Sequence, residues 1–175
     1  MPSKAREVLI RPFSEEDLPF MVKWNNDDEV EQYVHSCLPK SLPECRLWYQ
    51  ENRKEWNYRL YAIEEAGGKI IGDLELDHIS WKSREAELRI RIGEKKYWDK
   101  GYGSTAINLV LRHAFEELDL NRVYLRVYAS NTRAIRCYLK NGFRKEASLR
   151  RVWDKDWKEL LLMFITKEIF RKKHN

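Results

Sequence analysis

Two short segments carry residue types able to do chemistry. The first is Trp98-Asp99-Lys100-Gly101-Tyr102-Gly103-Ser104. Glycines without Cβ let backbone N–H groups approach an anion closely. A helix opening after the loop adds unpaired donors and partial positive charge, and Lys100 adds a full charge. Phosphate or pyrophosphate is the guest such a loop suits. The pattern is neither common phosphate loop: no Gly-Lys-Ser/Thr follows Gly101 at the required offset, and position 106 is Ala rather than the third glycine of the dinucleotide fingerprint. Alone, the segment reads equally well as a tight strand-to-helix turn. The second segment runs from Ser130 to Phe143. Asn131 stands where it would cap a helix. Ala134 and Tyr138 are four apart and share a face. A small residue beside a phenol leaves a groove with a hydroxyl at its end. Alone, Tyr138 reads more readily as a tyrosine at the edge of a core.

Other chemistries lack their residues. His35, His78, His113 and His174 are dispersed and form no H-x-x-x-H pair, so no metal site is expected. There is no G-x-S-x-G and no Cys/His nucleophile pattern. Cys137 adjoins Tyr138 but lies about 100° round a helix, so an acyl-cysteine step is not expected.

These segments need elements to hold them. Val8 and Ile10 suggest a first strand. Ser14 with Asp17 resembles a capping box, whereas Asp17 as the cap moves Pro19 into the tolerated first turn; both starts remain open. A helical segment with Met21, Val22 and Trp24 follows, and a second helix is expected over Leu42 to Trp56. Arg59 to Ile63 and Lys69 to Leu76 read as strands around Gly67-Gly68. Glu87 to Ile92 is another strand. A helix carrying Ile107, Val110, Leu111 and Ala114 then precedes a strand over Asn121 to Tyr128. Thr132 to Lys140 is a short helix, ended by Asn141-Gly142. Strands around Phe143 to Val152 and Glu159 to Ile165, joined across WDKDW, close the chain. The order implies an α+β (mixed α/β) domain spanning 1–175, with one central, mostly antiparallel sheet and about four helices. Residues 171–175 read as a frayed basic tail.

Composition sets outer limits. The chain has 175 residues, 43% hydrophobic, enough for a sizeable core. The longest apolar run, Leu160 to Ile165, is too short to span a bilayer, and the N-terminus has no apolar signal core. Lys plus Arg is 33 against 28 Asp plus Glu, a net +5. The two signs are interleaved, as in KSREAELRIR, so neither nucleic acid nor membrane is the expected partner. Cys37, Cys45 and Cys137 form no close pair, which fits a reduced, cytoplasmic setting. Trp48, Trp56, Trp81, Trp153 and Trp157 could pack in a homodimer, and core burial explains them equally well.

The Gly loop, the strand before N-x-x-A-x-x-x-Y-x-x-x-G-F and the closing strand pair together resemble the GNAT superfamily of acetyl-CoA-dependent N-acetyltransferases. The likeness covers essentially the whole chain in element order and is sharpest from Glu87 to Phe143. It implies that the loop of Trp98, Asp99, Lys100, Gly101, Tyr102, Gly103 and Ser104 holds the coenzyme pyrophosphate. It implies a strand splayed from its neighbour over 88–92, with Ile90, Arg91 and Ile92 beside the pantetheine arm. Asn131 and Ala134 match coenzyme contacts, and Tyr138 matches the tyrosine that protonates the departing thiolate. The family's usual Gln or Arg at the loop's first position is Trp98 here. Lys95, Lys96, Lys100, Arg133 and Arg136 are cations able to meet the coenzyme phosphates.

The implied reaction is direct attack of an amine on a thioester. An alkyl amine of pKa about 10.4 must lose a proton first. Glu87 resembles the glutamate base of the histone-acetylating branch; Glu75 is the reserve candidate, and a water chain is the third option. Glu29 and Glu31, in the acidic stretch 14–31, would attract a polycation. The WDKDW hairpin and the run REAELRIRIGEKKYWDKGYG resemble the branch of spermidine and ribosomal-protein N-terminal acetyltransferases. A polyamine such as spermidine is therefore the expected acceptor. A peptide N-terminus and an amino sugar or aminoglycoside remain alternatives, and a non-catalytic acyl-CoA sensor is the alternative of another class.

Overall fold

The computed structural model describes residues 7–33, 37–151 and 158–174. His35, Trp153, Trp157 and the WDKDW connection lie outside them.

Alternating apolar residues build one seven-stranded sheet. Its strands are Val8–Pro12 (β1), Arg59–Glu65 (β2), Ile70–Ser80 (β3), Glu85–Ile92 (β4), Arg122–Tyr128 (β5), Arg144–Arg151 (β6) and Lys158–Thr166 (β7), in the order β1-β2-β3-β4-β5-β7-β6. Neighbours run antiparallel except β4 and β5, which are parallel. That pair holds together only where Glu85, Ala86 and Glu87 meet Arg122, Val123 and Tyr124. Beyond it the two strands part.

Each face of the sheet buries its own cluster. Ile63, Leu74, Leu76 and Leu88 pack with Ile107, Val110 and Leu111 of α4 (Tyr102–Arg112) and Tyr138 of α5 (Thr132–Lys140). On the opposite face Ala62 packs with Leu18, Met21 and Trp24 of α1 (Leu18–Asn25) and with Cys45 and Tyr49 of α3 (Leu42–Asn52). Trp24 is fully buried, and a Cβ on Gly93 would lie 2.1 Å from its indole. Glycine at 93 lets β4 end against that ring.

The two helix starts left open at Ser14 and Asp17 both occur. Ser14 opens a 3-10 turn over Glu15–Asp17, and its N–H and hydroxyl donate to the Asp17 carboxylate. Asp17 then precedes α1, with Pro19 in the first turn. The second helix stops at Asn52, short of Trp56. The intervening Arg53-Lys54-Glu55 offers no apolar face to bury, and Trp56 is exposed.

The described residues hold six α-helices rather than about four. One extra is the single turn Asp28–Glu31 (α2). The other is Lys167–His174 (α6), which corrects the expected frayed tail. Phe170 is buried with its ring 5.4 Å from Phe115, and the Asn108 amide donates to His174 Nε2. Packing orders a segment whose composition alone reads as loose. Phe170→Ala should lower stability by about 3 kcal/mol, or about 6 to 12 °C in Tm. Arg171→Ala should stay within about 0.5 kcal/mol. Equal thermal melts for the two variants would contradict a packed C-terminal helix.

Candidate active site

The parting strands leave backbone unpaired. β4 continues to Ile92 and β5 to Tyr128, yet neither pairs with the other after Glu87 and Tyr124. Backbone donors and acceptors without a ladder need other partners. A slot therefore opens through the sheet, lined by main chain.

The Gly loop stands at the end of β4. Gly101 has φ +87, a left-handed conformation that favours glycine, and it is the N-cap of α4. Ser41 caps α3 and Asn131 caps α5 by accepting backbone N–H groups. Gly101 has no side chain to do this, so the first N–H groups of α4 stay available to an anion. A Cβ at Gly103 would meet only ordinary contacts, Ile92 Cγ1 at 3.6 Å and Cys137 Sγ at 4.0 Å. Packing within the protein therefore does not require glycine there, whereas close approach by a ligand does. The uncapped helix and the bare glycines fit a pyrophosphate.

Side chains around the loop divide into engaged and available. Trp98 donates its indole N–H to the Ile92 carbonyl at 2.7 Å, and the Arg133 guanidinium stacks on its ring at 3.7 Å. This stack occupies the place where the family carries Gln or Arg. Tyr102 lies edge-on to Tyr97. Ser104 accepts from Asn141 at 2.9 Å, which ties the end of α5 to the start of α4. Lys95 is paired with Asp27 and Glu29. Lys96 sits over the Tyr97 ring. Asp99, Lys100 and Arg136 are exposed, and the two cations make no ion pair among the described residues.

Tyr138 lies on the α4 side of the slot, buried and 5.6 Å from the Phe143 ring. Ala134 lies one turn before it on the same helix. Burial raises the phenol's pKa, so it keeps its proton through the neutral range. Burial likewise raises the Cys137 thiol, which makes it a poor nucleophile at neutral pH.

The other side of the slot is charged. Asp73, Glu75 and Asp77 alternate along β3 on the face of Ala62 and Leu60. Glu87, Arg89 and Arg91 face them from β4. Arg91 binds Asp73 through two nitrogens, at 3.1 and 2.5 Å, and Asn25 at 2.6 Å. Arg91 thus adjoins the slot through its main chain, with its side chain committed elsewhere. Glu87 does not stand free on an exposed strand. It is 3% exposed and accepts from Arg126 of β5 at 2.7 and 3.1 Å and from Arg89 at 3.3 Å. Burial alone would raise its pKa; the Arg126 hydrogen bonds and the charges of Arg89 and Arg126 hold it below the usual carboxylate range. A carboxylate so held accepts protons poorly. Glu75 is the reverse case. Its ion pair is a long one, to Arg89 at 3.5 Å. Burial and then the charge of Asp73 push its pKa up to about 7.

Glu29 and Glu31 do not join this row. They lie on α2, where Lys95 takes Glu29 and Lys40 takes Glu31. The sequence reading missed Asp73, Arg126 and the Trp98–Arg133 stack. Asp73 was visible in the D-x-E-x-D alternation; the other two needed the fold.

Comparison with known proteins identifies the family. Residues 7–144 match the acetyltransferase (GNAT) domain family. The chain is 29% identical over 143 residues to spermidine N(1)-acetyltransferase of Vibrio cholerae serotype O1, covering 82% of each chain. It is 32% identical over 149 residues to the Escherichia coli K12 spermidine N(1)-acetyltransferase, covering 85% of this chain and 78% of that one. A crystal structure of spermidine N-acetyltransferase from Vibrio cholerae in complex with CoA and spermine superposes with a TM-score of 0.86 at 26% identity, over 94% of this chain and 98% of that one. The chain belongs to the GNAT family and is an acetyl-CoA-dependent N-acetyltransferase.

The Glu87–Arg126 pair gives a pH test. Glu87's pKa is lowered on folding, so its stabilisation is full above the unfolded value of about 4.3 and is lost as pH falls through the folded value. Arg126→Gln should cost about 2 to 3 kcal/mol at pH 7, less than for a fully buried pair because the guanidinium is a third exposed. Thermal melts should show the deficit shrinking by pH 3. A deficit independent of pH would contradict the pairing.

Proposed function

Taking acetyl-CoA-dependent N-acetylation as its chemistry, we propose that this chain acetylates a primary amine of a polyamine such as spermidine. The acidic row Asp73–Glu75–Asp77 beside the slot carries the reading. A flexible polycation gains from several carboxylates on one wall, whereas an amino sugar or a peptide N-terminus with a single ammonium brings fewer charges. The likeness to spermidine acetyltransferases supports the same acceptor. Glu29 and Glu31, each held by a lysine, contribute more weakly to the field.

The two faces of the sheet divide the work. Acetyl-CoA supplies the activated acetyl group. The N-terminus of α4 binds its pyrophosphate, with Lys100, Arg133 and Arg136 near its phosphates, Asn131 and Ala134 bordering the path, and the β4 edge at Ile90 and Ile92 receiving the pantetheine. Tyr138 presents an O–H toward the sulfur that must leave. With a phenol pKa above that of a thiol, about 8.5, the hydrogen bond rather than early proton transfer is its contribution. From the opposite face the amine enters as an ammonium. Glu75 is the group poised to take its proton, because a base works best with a pKa near the working pH. Glu87, committed to Arg126, holds the strands where they part.

The test is coenzyme A release from acetyl-CoA with spermidine, spermine, an aminoglycoside, an amino sugar nucleotide and N-terminal Ser/Ala peptides. Spermidine or spermine should give the highest kcat/KM. Tyr138→Phe should lower kcat about 100-fold, while Lys100→Ala with Arg136→Ala should weaken acetyl-CoA binding and leave the amine preference unchanged. Preferred turnover of a peptide or amino sugar would overturn the polyamine reading. Binding of acetyl-CoA without release on any amine would favour a sensor.

A further inference from the structure

Among the described residues, one buried side-chain oxygen or nitrogen has no hydrogen-bond partner: the Tyr58 hydroxyl. Tyr58 is 6% exposed, with its ring edge-on to Trp48 at 6.2 Å. An unpaired buried hydroxyl carries a desolvation cost that phenylalanine would avoid, so its presence calls for a partner.

Strand register shows where that partner lies. Arg59 pairs with Leu76 and Leu60 with Glu75. Continuing the register, Tyr58 stands opposite Asp77 and diagonal to Glu75, on the face of Leu60. A diagonal neighbour is within reach of a tyrosine. After burial, the groups that bear most on the phenol are Glu75, Asp73 and Asp77, in that order.

The carboxylates on this face are unequally held. Asp73 has Arg91 on both oxygens. Asp77 has Arg89 at 3.1 Å and the His78 N–H at 2.6 Å. Glu87 has Arg126. Glu75 has a single ion pair, the long one to Arg89 at 3.5 Å, so the least-held carboxylate faces the Tyr58 hydroxyl.

We propose that Tyr58 is a positioning residue for the proton acceptor, its hydroxyl donating to Glu75 while that carboxylate is ionised and releasing it as Glu75 takes the proton of the acceptor ammonium. The ammonium proton ends on Glu75; the phenol proton stays on Tyr58. The inference rests on the reading of Glu75 as the base.

The test is the pH profile of kcat/KM for spermidine in the wild type, Tyr58→Phe, Glu75→Gln and His78→Gln. His78 is the control because its imidazole touches Asp77 and Glu87. A donor to the ionised form lowers a carboxyl pKa, so removing it raises that pKa. The acidic limb should move up by about half to one pH unit in Tyr58→Phe, with the alkaline plateau within about twofold and Tm no lower. The limb should vanish in Glu75→Gln and stay in His78→Gln. An unmoved limb in Tyr58→Phe, with the limb still lost in Glu75→Gln, would overturn the role of Tyr58 alone. A limb that survives Glu75→Gln would overturn the base and this inference together. A uniform loss of rate with a lower Tm would make Tyr58 structural and also overturn it. Carboxyl NMR titration of Glu75 in both backgrounds should show the same shift without turnover.

Discussion

Two parallel strands that stop pairing partway along their length impose the main constraint on this fold. β4 and β5 share three residue pairs and then part. Parallel pairing needs a long crossover, and that crossover is the Gly loop with α4. The loop therefore stands at the end of the strand whose edge is open. The Glu87–Arg126 ion pair sits at the last shared register and bridges the two strands. Without it, a buried carboxylate would keep only its longer contacts to Arg89 and His78 where the two strands stop pairing. The proposed reaction uses this compromise, with the thioester and the amine reaching the slot from opposite faces.

Charge follows the same division. On the α4 side lie an uncapped helix start and two exposed cations. This side suits an anionic coenzyme. On the α1 and α3 side lies a row of carboxylates only partly offset by Arg89 and Arg91. This side suits a cationic acceptor. The sheet keeps the two ligands apart except at the slot, so each can carry its full charge to the reaction without meeting the other's binding groups.

Alternation made most of the sheet legible, including the parting strand and the strands on either side of it. The helix caps at Asn131 and Gly142 were equally local, and both hold. What failed depended on distance in sequence. α6 read as a tail because Arg-Lys-Lys says nothing of Phe115, 55 residues before Phe170 (170 − 115 = 55). The ion pair of Glu87 was not visible because Arg126 lies 39 residues away and reaches it only through the parallel register. The D-x-E-x-D run announced one face of a strand but not which face. Tyr58 stands just ahead of β2, and its ring meets Trp48 only once α3 packs on the sheet.

Amide hydrogen exchange with and without acetyl-CoA tests the central claim most directly, namely that the open edge of β4 and the start of α4 receive the coenzyme. Residues 88–92 and 101–104 should exchange markedly more slowly in the complex, while β1 and β2 stay unchanged. Saturating acetyl-CoA that protects other segments and leaves 88–92 as fast as in the free protein would contradict the account.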